Sequence, residues 1–144
     1  MIGGFYNTKN LNSIEKYPSP SPGKNQKWAL VDVKNSHSFK PVYWFGCTLV
    51  SRNQILIVGG KYNGKENDCC IFDTDGNSME PFPAAPVGIY FYCMPAPVYD
   101  GNAQTVYAYA RQVGHHYSTF KLDLPTKTWT QHGDIYKLKK WLPL

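Results

Sequence analysis

The sequence predicts an all-β chain of repeated units with four antiparallel strands each, and three observations carry that prediction. Residues 45–83 lie over residues 95–133 without a gap at an offset of 50 residues, placing Gln54 on Gln104, Lys61 on Arg111, Gly64 on Gly114, Asp73 on Asp123 and Met79 on Trp129. A period of that size marks a repeat architecture. Apolar residues at helical spacing are scarce, and Pro or Gly interrupts most windows that could hold a helix. The 11 Tyr, 11 Pro and 12 Gly instead favour short strands separated by turns.

The first 40 residues read as an incomplete copy. Ile2-Gly3-Gly4 matches Val58-Gly59-Gly60, Ile14–Tyr17 matches the strand ending at Phe72, and Trp28 takes the place of Met79 and Trp129. The strand before Gly3-Gly4 is missing from this copy. Pro18–Lys27 is a Ser/Pro-rich insert whose prolines cannot donate ladder bonds, so it is expected as a surface connection.

The central copy, residues 41–86, is the fullest. Tyr43–Val50 is a first strand, Ser51–Asn53 a turn, and Gln54–Val58 a strongly apolar second strand ending at Gly59-Gly60. A polar loop, Lys61–Asn67, leads to a third strand, Cys69–Asp73. Thr74–Asn77 is expected as a tight turn of the Asp-Gly type, Ser78–Phe82 is a fourth strand, and Pro81–Pro86 leaves the unit.

The last copy, residues 87–133, retraces this order. A first strand lies within Ile89–Asp100, a turn at Gly101-Asn102, and a second strand at Gln104–Arg111. A polar loop around Gly114 precedes a third strand, Tyr117–Leu122, a turn at Pro125–Lys127 and a fourth strand, Thr128–His132. Four antiparallel strands in about 50 residues is the make-up of a propeller blade. Residues 134–144 form a basic C-terminal tail, in which Ile135–Leu138 is strand-compatible.

Composition narrows the function classes. The chain is 42% apolar and 15% aromatic with only 17% charged residues, which is a folded protein and not a polyelectrolyte. The net charge of +5 is scattered except for Lys137, Lys139 and Lys140, so a nucleic-acid groove is not expected. No apolar run approaches the ~20 residues needed to span a bilayer. The start, Met1-Ile2-Gly3-Gly4-Phe5, shows no secretory leader. Cys47, Cys69, Cys70 and Cys93 form no C-x-x-C pair, and adjacent cysteines on a strand face opposite ways, so reduced thiols in the cytoplasm are expected and a metal site is not.

The composite pattern resembles the kelch repeat: an apolar strand closing in a double Gly, a loop, an apolar-aromatic strand ending in Asp, a turn, and an outer strand begun by Trp. Gly59, Gly60, Phe72, Asp73 and Met79 carry it in the central copy. Leu122, Asp123 and Trp129 carry it in the last copy, and Gly3, Gly4, Tyr17 and Trp28 in the first. The last copy departs from it with Tyr109-Ala110 where the double Gly is expected, and the central copy with Met79 for Trp. The resemblance implies kelch-like β-propeller blades in an incomplete ring, because a ring takes roughly four to eight blades.

These motif residues read as scaffold. The double Gly lets a strand end bend, Trp28 and Trp129 are expected to bury between sheets with each indole N–H seeking a partner, and Asp73 and Asp123 are placed to accept bonds from turn amides.

No G-x-S-x-G, phosphate loop or paired acid and base is visible. His37 and His132 stand alone, and adjacent His115 and His116 suit a solvated loop better than a metal. Some kelch relatives are sugar-acting or redox enzymes, but the matching catalytic set has no counterpart here; that alternative rests on fold analogy alone.

The expected activity is therefore non-catalytic and cofactor-free: a protein-interaction or scaffold module in a larger assembly, cytoplasmic and cytoskeletal in its associations. Its protein partner would be a subunit of that assembly or a chain completing the propeller. The resemblance groups the loops between second and third strands on one face. These loops hold the candidate partner-binding residues Tyr6, Lys9, Tyr62, Lys65, Arg111, His115, His116 and Tyr117, of types enriched at interfaces.

Overall fold

The computed structural model describes residues 2–6, 9–17, 27–35, 45–60, 67–86, 89–90, 97–112 and 117–134. Among them there is no helix, and every named ladder is antiparallel. Sheet 1 contains β1 (Ile2–Tyr6), β2 (Lys9–Lys16) and β3 (Ala29–Leu30) in that order. Sheet 2 contains β4 (Gly46–Leu49), β5 (Gln54–Val58), β6 (Cys69–Asp73) and β7 (Ser78–Phe82), also in chain order. Sheet 3 runs β12 (Thr128–Asp134), β11 (Tyr117–Asp123), β10 (Thr105–Gln112). Both β8 (Ile89–Tyr90) and β9 (Val98–Asp100) pair with the far side of β10, against its two ends, and so act as one interrupted first strand.

The central sheet is apolar on both faces, and this explains why Ile55–Val58 and Cys69–Phe72 are unbroken apolar runs where a half-exposed strand would alternate. Leu56, Val58 and Cys69 enter one core with Val106, Ala108, Phe120 and Leu122 of sheet 3. Their neighbours Ile57, Cys70, Phe72 and Met79 enter a second core with Ile14 of sheet 1, to which Val31 and Val33 add. The three sheets are therefore stacked face to face with sheet 2 in the middle. After β3 the chain reaches the outer edge of sheet 2: the Lys34 amide donates to the Asn77 carbonyl (2.8 Å), and the Met79 amide to the Lys34 carbonyl (3.1 Å).

The ladders correct the gapless offset. Asp73 pairs with Gln54, but Asp123 pairs with Thr105, so β10 corresponds to β5 at an offset of 51 while β11 and β12 keep 50. The extra residue sits in the preceding turn. Three residues, 51–53, separate Val50 from Gln54, whose carbonyl accepts its amide, and four, 101–104, separate the paired Asp100 and Thr105. A repeated clasp confirms the shift: the Thr74 amide donates to the Asn53 carbonyl (2.8 Å) and the Leu124 amide to the Gln104 carbonyl (3.0 Å). Gln104, not matched to Gln54 after all, is a turn residue with φ 47°.

The double-Gly positions change with it. Gly59 and Gly60 bend the end of β5 with φ of 64° and 98°, which glycine adopts without strain. Their counterparts by ladder are Ala110 and Arg111, and there β10 runs straight on in register with β11. Gly3 and Gly4 do not end β1; they lie at a register shift within it. In the Thr74–Asn77 turn the left-handed residue is Asn77 (φ 49°), not Gly76, and Lys127 (φ 55°) holds the same place before β12. Tyr6 and Lys9, expected in a loop of the first copy, are strand residues that pair directly with each other.

Trp28 is the clearest departure. It is 57% exposed, against the burial expected of it, and its ring lies tilted on Tyr17 with centroids 5.3 Å apart. Its face of sheet 1 is the one opposite Ile14 and Val31, and no further sheet covers that face among the described residues. The Pro18–Lys27 insert, apart from Lys27, and the Ile135–Leu138 segment lie outside the described residues.

Two-sided burial makes a direct prediction. Leu56→Ala and Ile57→Ala, adjacent on β5, are each expected to cost about 2–5 kcal/mol in denaturant unfolding, as large-to-small core changes do. A loss under about 1 kcal/mol for either one would mean that its face is not packed.

Candidate functional site

Backbone register brings four of the candidate partner-binding residues to equivalent places. Tyr6 pairs with Lys9 at the last rung of the β1–β2 hairpin, and Arg111 pairs with Tyr117 at the last β10–β11 rung. Each rung sets a tyrosine opposite a cation. Tyr62 and Lys65 belong to the corresponding β5–β6 connection; they, His115 and His116 lie outside the described residues. The tyrosine–cation pairing could not be read from residue types alone, since it depends on which residues the hairpin places across from each other.

At the other end of these strands, carboxylates build the turns. Asp73 Oδ1 accepts the amides of Asp75 (3.0 Å) and Gly76 (2.6 Å), while Asn53 Nδ2 donates to its Oδ2 (3.1 Å). Asp123 Oδ1 accepts the Thr126 amide (2.8 Å) and hydroxyl (2.6 Å). The bond equivalent to that of the Asp75 amide is absent because residue 125 is proline, and the Thr126 amide keeps the place of the Gly76 amide. The Thr126 hydroxyl, then the Thr126 amide, hold the Asp123 carboxyl below its usual range. Asp100 repeats the device, accepting the amides of Asn102 and Ala103 in the turn after β9. All three aspartates serve turn geometry.

The motif tryptophan of sheet 3 does join two sheets. Trp129 packs against the sheet 2–sheet 3 core, and its Nε1–H donates to the Pro83 carbonyl just beyond β7 (3.0 Å). Met79, at the same position in sheet 2, is fully buried against sheet 1.

Cys47, Cys69 and Cys70 are packing residues, and Cys93 lies outside the described residues. Burial pushes the Cys69 thiol up to about 11, against weaker lowering by nearby backbone donors. Burial pushes Cys70 to about 12, with Cys69 and Asp68 adding to it. Cys47 is also raised, first by burial. A thiolate nucleophile needs the opposite environment.

Between sheet 1 and the β6–β7 turn lies an open hollow of about 480 Å³, lined by Lys16, Leu30, Asp32, Thr74 and Asp75 among others. Among the described residues, no three His, Cys, Asp or Glu side chains gather to hold a metal, and no helix is long and apolar enough to cross a membrane. Comparison with protein-family models and with curated proteins returns no match for this chain.

The thiol environment predicts a pH response. Both folded thiols lie above their ordinary 9.0, so the stability tied to their neutral form is complete below pH 9 and falls away as pH rises toward 11–12. Denaturant midpoints should drop across that window, and less so in a Cys69→Ala, Cys70→Ala chain. A thiol reagent at neutral pH should spare both cysteines until the protein unfolds; rapid labelling of either in the native state would contradict their burial.

Proposed function

We propose that the chain is a kelch-like propeller module that works without catalysis, by presenting its hairpin tips to a protein partner within a larger assembly. The observation that carries the reading is the repeated rung at those tips, Tyr6 across from Lys9 and Tyr117 across from Arg111. Tyr supplies contact area at low entropic cost and a cation supplies directional bonds, the combination that interface hot spots favour. The kelch-like part of the reading is supported by the face-to-face stack and by Trp129 reaching Pro83 in the neighbouring sheet. A rigid stack would hold successive tips in a fixed arc. The basic tail, with Trp141 beside Lys140, is a second contact suited to an acidic surface such as that of a cytoskeletal filament.

The test is proximity labelling in cells with the full chain. A variant carrying Tyr6→Ala, Tyr62→Ala, Arg111→Ala and Tyr117→Ala should lose the reproducible neighbours of the parent chain while keeping its thermal midpoint within a few degrees. Removal of residues 135–144, which leaves β12 whole, should weaken the same association most at low salt. An unchanged neighbour profile in the tip variant would overturn the reading, as would stoichiometric copper or saturable sugar binding by the purified protein.

A further inference from the structure

The uncovered face of sheet 1 has two counterparts in the same chain, and both are covered. The β2–β3 register puts Glu15 opposite Leu30, so Tyr17 and Trp28 share their side of the sheet, away from Ile14 and Val31. Aligned rung by rung, Tyr17 and Trp28 hold the positions of Phe72 and Met79 in sheet 2, and of Leu122 and Trp129 in sheet 3. Phe72 and Met79 are buried against sheet 1; Leu122 is buried and Trp129 partly buried against sheet 2. In each case the cover is the preceding sheet's opposite face. Tyr17, Trp28 and Leu30 are 48%, 57% and 74% exposed, with no such cover among the described residues.

The cover those positions take elsewhere is available once more in the chain, on the outer face of sheet 3. Alternation along β11 turns Lys121 away from buried Phe120 and Leu122, and cross-strand pairing sets Tyr107 and Thr130 beside it. That face also carries Val98, 63% exposed, and the Tyr107–His132 edge contact at 5.7 Å. Lys121 holds the position of Ile71 in sheet 2 and of Lys16 in sheet 1. Lys16 already lies on a stacked face, at the rim of the hollow shared with sheet 2, so a lysine there permits stacking with its head in water. Glu15 on one face and Lys121 on the other are of opposite sign.

We propose that the Tyr17–Trp28–Leu30 face of sheet 1 docks onto the Tyr107–Lys121 face of sheet 3 in a second copy of this chain, head to tail. Trp28 would then reach a backbone carbonyl at the end of β12 as Trp129 reaches Pro83, with Asp134 at the position that matches by ladder. Three sheets from each of two copies make six, within the range that closes a propeller ring, and two reciprocal contacts satisfy twofold symmetry. The inference deepens the interaction reading by naming a second copy as a partner. It rests on the blade-like stack in that reading and not on the hairpin tips.

Sedimentation of the full chain at micromolar concentration should give a species of twice the 16.4 kDa chain mass. Trp28→Glu, at an exposed position of the single chain, and Lys121→Glu, at a half-buried one, should each weaken self-association about tenfold or more while leaving the thermal midpoint of the monomer within a few degrees. Mixing the two variants should restore one of the two contacts, through the intact sheet 1 face of the Lys121→Glu chain and the intact sheet 3 face of the Trp28→Glu chain, so the mixture should associate more tightly than either variant alone and less tightly than the parent. A monomeric parent chain would overturn the proposal. So would a Trp28→Glu monomer beside a Lys121→Glu dimer, which would mean that two sheet 1 faces pair with each other. The hairpin-tip variant should remain dimeric, so a failure of tip binding and a failure of this docking read out separately.

Discussion

Burial of both faces of sheet 2 is the constraint on which the rest of the molecule depends. β5 and β6 have no solvent side, so their apolar residues are divided between two cores, Leu56 and Val58 to one, Ile57 and Phe72 to the other. Each flanking sheet must then offer one apolar face. A slip of one residue would turn every side chain to the wrong side, so the stack fixes register across all three sheets. The same constraint sets the chemistry. Cys69 and Cys70 stay neutral well above pH 9 because each is buried in one of the two cores, and Trp129 has an acceptor because β7 ends where the neighbouring sheet can reach it.

β5 and β6 were legible in the sequence to the residue, because two-sided burial writes continuous apolar runs between polar turns, and β7 was legible from the turn before it and the prolines after it. The aspartate turns were legible too, since a carboxylate before a turn has few other uses. The shift to an offset of 51 was not. An added residue before β10 is offset by a shorter connection after it, and polar Gln104 aligns with polar Gln54 by identity alone. Ladder pairing resolves what letter matching cannot.

Trp28 and the tips show a different limit. A tryptophan at a repeat position is buried by the sheet beside it, not by its own character, and Trp28 has no covering sheet among the described residues. The tip residues were recognisable as types, but their pairing across a rung is a property of the hairpin. The αL residue before β7 is an asparagine and before β12 a lysine, so the same backbone turn is held by unequal residues. Copies of a fold can drift this far when the turn is also pinned by its aspartate.

Lys34 has a consequence for growth. By taking both an acceptor and a donor of the β7 rim, its backbone occupies part of the strand that would otherwise template pairing with another chain. Sideways extension into a continuous ribbon, the route to cross-β fibres, is thereby obstructed at sheet 2. At that edge the direction left in which to add material is the stacking axis, as in a solenoid.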